Sequence, residues 1–406
     1  MIIEVCAGWI KSCPIIGKLN YENIAGNDVY SFEYDETWLM NNYVFLGPDI
    51  NEYLGRQYSN SKNMFGFLED CCPDRWGRML IERNESIIAI KEHRKSKHLS
   101  EVDYLLSVND ETRAGGLRFK VNENYVSSNQ DDSIPPYTTL RQLQDASLNI
   151  EKDENILNEK WLKELLLPGT SLGGARPKAS VVDENGEYWI GKFPSNKDEY
   201  DVGAFEKVAN ELAKMCDINV PESRLERFSN NGSTFISKRF DRINKNRIHY
   251  DSAMCLLGKK DGESNDSSYL DLANFITKYG SYPKRDLEQL YRRMIFNMCI
   301  SNTDDHLRNH GFLLTNNKWE LAPAFDLNPC KYSKRLSLKI DEYDNIISFE
   351  NALNVCEKFY LNKDYAENII ENTKSIVQNN YEKIAKKYSI SNNQINYLRE
   401  CFVVDY

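Results

Sequence analysis

The sequence predicts an α+β fold in which a mixed α/β N-terminal subdomain is followed by two lobes, the second mainly helical. Three observations carry this expectation. Runs such as ASVVDE and EYWIGKF have the alternation and β-branched or aromatic content of strands. Runs such as AFEKVANELAKMCDI and DLEQLYRRMIFNMCI place apolar residues at helical spacing. Between Val126 and Tyr137 the polar stretch SSNQDDSIPP ends in two prolines, which interrupt ladder and helix hydrogen bonding and mark a boundary. The expected division is an N-terminal subdomain over 1–126, a linker over 127–137, a small lobe over 138–245 and a helical lobe over 246–406.

At 406 residues the chain is too long for one ordinary core, and 41% hydrophobic content with 12% aromatics supplies enough apolar surface for several. The first residues, MIIEVCAGWIKSCPIIGKL, lack the basic and uninterrupted apolar regions of a secretory signal, and no stretch has the length of a bilayer span. A cytoplasmic protein with no membrane partner is expected. Ten scattered cysteines, two of them adjacent (Cys71 and Cys72), read as reduced thiols, and the absence of CxxC pairs argues against structural zinc. A net charge of -10 opposes direct attraction to nucleic acid. The basic run KEHRKSKH over 91–98 is the local exception, either a solvated surface or a contact for an acidic partner.

Within the N-terminal part, VYSFEYDETWL reads as a strand, and FGFLEDCCPDRWGRMLIERNE as a loop that becomes a helix. After the boundary comes a helical run from Leu140 to Leu167. The loop PGTSLGGARPK follows, then two strands joined by an Asn-Gly turn, the helix over 204–218 and the strand TFISKRF. From Ser268 onward the pattern is largely helical, broken by two short segments that carry most of the acidic chemistry.

The first of these is NTDDHLRN, where Asp304 and Asn309 stand five apart between a helix and the strand-like GFLL. Phosphoryl transfer needs a carboxylate to orient or deprotonate an attacking hydroxyl, and a neutral oxygen to help hold magnesium on the phosphates. The second is LAPAFDLNP, in which Asp326 lies in an apolar stretch; a cation would compensate its burial, and a helix cap or turn is the alternative. The loop Gly173-Gly174-Ala175-Arg176-Pro177-Lys178 allows backbone N–H groups to approach phosphate oxygens, although it matches neither GxGxxG nor the Walker pattern. Lys178 reads equally as a surface lysine. Lys192 on a strand and Glu206 on the next helix are placed like a phosphate-binding lysine and its orienting carboxylate. His306 and His310 offer metal ligation or loop contacts, with phosphate or loop contacts favoured for His306 because magnesium prefers oxygen. No GxSxG elbow supports a serine hydrolase.

On these motifs the chain resembles the HipA-type serine/threonine kinases, the toxin partners of bacterial type II toxin-antitoxin systems. The resemblance runs through VYSFEYDETWL, AGGLRF, SLGGARPK, WIGKFP, FISKRFDR, ISNTDDHLRNHGFLL and LAPAFDLNP. It implies a two-lobed protein-kinase-like fold, with Asp304 as catalytic aspartate, Asn309 and Asp326 as Mg²⁺ ligands, and Lys192 on the phosphates of ATP. It implies further that Gly173 to Lys178 cover the nucleotide, that Lys238, Arg239 and Phe240 form the segment beside adenine, and that Ser171 is the autophosphorylated serine, with Thr170 and Ser180 as neighbouring hydroxyls. Relatives of this type phosphorylate protein substrates such as aminoacyl-tRNA synthetases and pair with a helix-turn-helix antitoxin, through which alone DNA would be reached. A kinase of small molecules or lipid headgroups, and a catalytically weak co-repressor beside a DNA-binding antitoxin, are the alternatives.

Overall fold

The computed structural model describes residues 1–41, 44–59, 64–127, 134–152, 159–171, 173–260, 266–331 and 334–402. Two compact units emerge: residues 1–197 with 241–251, and residues 198–240 with 252–406.

In the first unit, β1 (Ile2–Ala7), β2 (Ile15–Ile24), β3 (Asn27–Tyr34), β4 (Gln57–Tyr58), β5 (Leu117–Val121) and β6 (Asn124–Tyr125) form a sheet of order β4-β3-β2-β1-β5-β6. All of its pairings are antiparallel, and β1 lies between β2 and β5, with Val5 opposite Gly17 on one side and Phe119 on the other. Central position explains why Ile3, Val5 and Cys6 are fully buried. The expected strand VYSFEYDETWL stops early. Asp35 accepts a hydrogen bond from Trp38 N at 3.2 Å, and the local cap turns the chain into α1 (Glu36–Asn41).

Helix α2 (Gly66–Glu69) is a single turn before α3 (Arg75–Lys91), whose Asp74 cap accepts from Arg75 N. Trp76, Leu80, Ile81 and Ile87 form its buried stripe. A reciprocal Ser100–Asp103 capping box starts α4 (Glu101–Ser107). The run expected to be one helix appears as α5 (Leu140–Lys152) and α6 (Glu159–Gly169), and residues 153–158 lie outside the described residues, as do 128–133 of the expected linker. Helix α6 carries on through Pro168 and Gly169, so the glycine loop starts a residue or two later than expected. It packs on α3, α5 and β7 (Lys178–Val182), which is paired with β8 (Tyr188–Lys192) around Gly186 at φ 76°.

The basic run over 91–98 is largely exposed, with Arg94 held by Glu85 and Glu92. Residues 241–251 belong to this unit through buried polar contacts: Asp241 accepts from Gly115 N at 2.9 Å, and Arg242 donates to the carbonyls of Gly115 and Arg113 at 2.9 and 2.6 Å.

The second unit begins with α7 (Val202–Met215), packed on the hairpin β9 (Ser223–Ser229) and β10 (Gly232–Lys238). Gly203 permits this approach, because a Cβ there would lie 2.3 Å from Ser233 O. Asp201 caps the helix and also accepts from Ser233 N and Oγ at 2.9 and 2.7 Å, tying helix to hairpin. β9 escapes the sequence pattern because SRLERFS is charged and mostly solvated.

The remainder contains α8 (Ala253–Leu256), α9 (Tyr269–Tyr279), α10 (Pro283–Cys299), α11 (Phe349–Asn354), α12 (Lys363–Lys387) and α13 (Asn392–Cys401). It is helical, as expected. Its exceptions are the hairpin Gly311–Thr315 with Lys318–Leu321, and irregular stretches over 322–331 and 334–347. Helix α10 is buried on most sides and packs on α9 and α12, and its end delivers the first acidic segment. Among the described residues no helix is long and apolar enough to cross a membrane, and all ten cysteines are free thiols.

Candidate active site

In the second unit, α10 ends where Ser301 turns into the left-handed region at φ 49°. Asn302 then folds back, its backbone N–H donating to Asn297 O at 2.8 Å and its amide to Asn297 Oδ1 at 3.1 Å. The next anchor is Asp305. This carboxylate is buried and accepts from Tyr269 OH at 2.5 Å and from Ser337 N at 2.8 Å. Ser337 in turn donates to Thr303 O at 2.7 Å. Burial pushes the Asp305 carboxyl up to about 7, against the hydrogen bonds it accepts.

With Asp305 fixed inward, Asp304 projects outward and its side chain is 62% exposed. The tandem Asp-Asp therefore divides its labour, one carboxylate holding the loop and the other exposed. Asn309 donates its amide to Asp304 O at 2.6 Å, which closes the loop and leaves the amide oxygen for another partner. His306 Nε2 is 3.6 Å from Asp304 Oδ1. Lost hydration raises the Asp304 carboxyl, His306 opposes the change, and the charge of Asp326 adds to it. That last effect places the Asp326 carboxylate near Asp304.

Asp326 has φ 54°, a costly conformation for a residue with a side chain. Its segment is fixed on both sides. Ala322 N donates to Gly311 O at 2.9 Å, Ala324 N to Asn219 O at 2.7 Å, and Arg293 to Ala322 O at 2.6 Å. The Phe325 ring packs against Phe240 at 5.8 Å between centroids. A cavity of about 10 Å³ is lined jointly by the two segments, through Asn302, Asp305, Asn309, His310, Phe325 and Leu327. His310 is buried against Tyr269 and is pushed down to about 3 by desolvation and by Arg293, so it is neutral.

The structure thus brings Asp304, Asn309, Asp326, His306 and Phe240 together in one unit. Phe240 follows Lys238, the last residue of β10, and the buried Arg239. The sequence reading missed Tyr269, Asn297, Arg293 and Asp305, which support the loop. Only the doubled aspartate hinted at them. The donor set fits Mg²⁺: two carboxylates that repel one another and an amide oxygen turned from its own hydrogen bond are hard oxygen ligands.

The glycine loop belongs to the first unit. Gly174, at φ 94°, donates its N–H to Asp74 Oδ2 at 2.7 Å, and its carbonyl accepts from Trp76 N at 3.4 Å. The start of α3 therefore holds the loop. Gly173 and Ala175 are exposed, Arg176 is half-buried, Pro177 O accepts from Phe193 N at 2.9 Å, and Leu172 lies outside the described residues. Lys178 is a buried residue whose ammonium donates to Gly173 O, not a free surface lysine. It stands directly opposite Lys192 in the β7–β8 register. Like charges at facing positions are unfavourable unless an anion accompanies them. Ser171, Thr170 and Ser180 are all buried, and among the described residues the Ser171 and Thr170 hydroxyls have no hydrogen-bond partner. Glu206 is buried on α7, in the second unit, whereas Lys192 is in the first.

A family model described as the HipA-like C-terminal domain matches residues 170–380, more than half of the sequence and every segment of the site. The chain belongs to this HipA-like family. A Haemophilus influenzae protein named "Putative kinase" is 28% identical over 181 residues, 39% of this chain and 52% of its own length. The chain thus spans about half the length of the curated relative it matches. Among solved structures, HipA from a Shewanella oneidensis complex of HipA, HipB and operator DNA superposes with a TM-score of 0.67 over 99% of this chain and 95% of its own. At 16% identity that likeness is one of fold, and it covers the HipA-like chain from end to end. The Helicobacter pylori proinflammatory kinase CtkA gives a TM-score of 0.38 at 18% identity, over 56% of this chain and 91% of that one.

Proposed function

We propose that this HipA-like chain is an ATP- and Mg²⁺-dependent serine/threonine protein kinase. The observation that carries the reading is the convergence of Asp304, Asn309 and Asp326, delivered by two segments over 15 residues apart and fixed by separate hydrogen-bond networks.

In the proposed reaction Asp304 orients the acceptor hydroxyl and takes its proton as the new O–P bond forms and the bond from the γ-phosphorus to the bridging oxygen breaks, releasing ADP. Asn309 and Asp326 would hold Mg²⁺, which neutralises phosphate charge. Lys192 and the backbone of Gly173 to Lys178, exposed at Gly173 and Ala175, would meet the phosphates. Lys238 to Phe240 would flank adenine, and His306 would steady Asp304 or a phosphate. The expected four-part division into subdomain, linker and two lobes belongs to the same proposal.

A protein substrate, aminoacyl-tRNA synthetases among the candidates, and a helix-turn-helix antitoxin that links the chain to DNA are part of this reading; HipB and operator DNA accompany the Shewanella HipA. Autophosphorylation at Ser171 would require its segment to leave the buried position it occupies here. The test incubates purified protein with γ-labelled ATP, Mg²⁺ and a cell extract. Label on Ser171 or on an extract protein, lost in Asp304→Asn, supports the proposal. Label confined to a small molecule or lipid headgroup supports the alternative substrate class, and nucleotide binding without transfer supports a co-repressor.

A further inference from the structure

We propose that Cys6 and Cys13 form a peroxide-oxidisable dithiol site in the N-terminal sheet, remote in sequence from every residue assigned to phosphoryl transfer. The β1–β2 connection brings them together. Cys6 ends the register opposite Ile15, Ala7 N donates to Pro14 O at 2.8 Å, and Cys13 turns back through a left-handed conformation at φ 46°. The two thiols are in hydrogen-bond contact.

The surroundings of Cys13 are those of a thiolate. Tyr125 OH donates to its sulfur at 3.2 Å, and Arg118 donates to it as well. The Arg118 guanidinium also lies 3.6 Å over the Tyr125 ring and is shared with Asp110, while Lys120 approaches the same ring at 4.7 Å. Chiefly through the hydrogen bond from Cys6, the Cys13 thiol is drawn down to about 6, whereas that of Cys6 is pushed up. Elsewhere burial dominates: Cys71 and Cys216 are both pushed up to about 12, chiefly by desolvation. Cys13 is also half-exposed, whereas Cys6 is fully buried behind it. An accessible attacking thiolate backed by a resolving thiol is the arrangement of a redox-sensing pair.

Hydrogen peroxide is the co-reactant. The Cys13 thiolate attacks one peroxide oxygen, an S–O bond forms, the O–O bond breaks and the departing hydroxide takes up a proton. The Cys6 thiol then loses its proton as its sulfur displaces hydroxide from Cys13, forming the S–S bond and a second water. Two thiols lose two electrons in total, and the peroxide is reduced to two waters.

The test treats the full-length reduced protein with hydrogen peroxide, blocks remaining thiols and maps cysteines by peptide mass. A Cys6–Cys13 linked peptide that dithiothreitol reverses, with Cys71 and Cys216 still free, is expected. In the untreated protein Cys13 should alkylate at least about tenfold faster than Cys71 at neutral pH. Cys6→Ser should let dimedone trap Cys13 as sulfenic acid, and Cys13→Ser should yield no such adduct at Cys6. The wild-type mapping and alkylation rates stand even if a variant fails to fold. Free Cys6 and Cys13 at peroxide doses that oxidise other cysteines, pairing of Cys13 elsewhere, or alkylation of Cys13 no faster than Cys71 would overturn the proposal.

Discussion

Two groups of aspartates, one in each unit, differ in what surrounds their charge. In the first unit Asp110 accepts from Arg118 at 2.6 Å and Arg247 at 3.1 Å, and Asp241 accepts from Arg242 and Gly115 N, both at 2.9 Å. Every one of these carboxylates has its cation, and the result is a buried clasp that binds residues 241–251 to the sheet unit. In the second unit lost hydration raises the Asp304 carboxyl, His306 opposes the change and the Asp326 charge adds to it, on loops that are themselves firmly held. The clasp ties a segment to its sheet, and the acidic pair sets one carboxylate's charge beside another's.

The comparison breaks first if the acidic pair proves structural. Asp304→Asn or Asp326→Asn should lower phosphoryl transfer by about 10²–10⁴-fold while leaving the thermal midpoint unchanged or raised, because each removes a repulsion. A lowered midpoint with retained transfer would reverse the assignment. The clasp should behave oppositely. Arg242→Ala removes the partner of the Asp241 carboxylate and of four carbonyls, and should cost about 3–5 kcal/mol by denaturant unfolding.

A smaller effect concerns pH. Asp251 is fully buried, and desolvation raises its carboxyl from 3.8 to about 6, with the His249 partner at 3.2 Å opposing the shift and Asp70 and Asp49 adding to it. A folded-state value above the unfolded one means that its contribution is complete below about 3.8 and is lost as pH rises through about 6. Asp251→Asn should therefore flatten the stability profile in that window and leave its slope above pH 7 untouched. At the bottom of the scale, Lys163 pairs with Glu159 on the surface of α6, with 68% of its side chain exposed. Lys163→Ala should change unfolding free energy by less than about 1 kcal/mol.

Much of this molecule was legible in the sequence wherever a local pattern carries the information. The stripe Trp76, Leu80, Ile81 and Ile87 declares a helix by its spacing, and the strands around Asn185-Gly186 by their alternation and turn. The segments NTDDHLRN and LAPAFDLNP declared acidic chemistry because such carboxylates in an apolar setting need a partner. The same reading failed where a neighbour decides. The strand in VYSFEYDETWL stopped at Tyr34 because Asp35 caps a helix, and SRLERFS was passed over because its apolar positions are too few to mark a buried face. For Lys178 the sequence left a phosphate contact and a surface position open, and the structure buries it with its ammonium on Gly173 O.

By itself, then, the sequence determined which residue types are available and how each short stretch prefers to run. Tertiary structure alone decided that Asp305 is the anchor and Asp304 the exposed group, since the two are identical in type and adjacent in the chain, and only Tyr269 and Ser337 distinguish them. It alone decided that residues 241–251 leave their sequence neighbours to join the sheet unit. The physical reason is common to both: a buried charge is placed by partners distant along the chain, and periodicity holds no record of them.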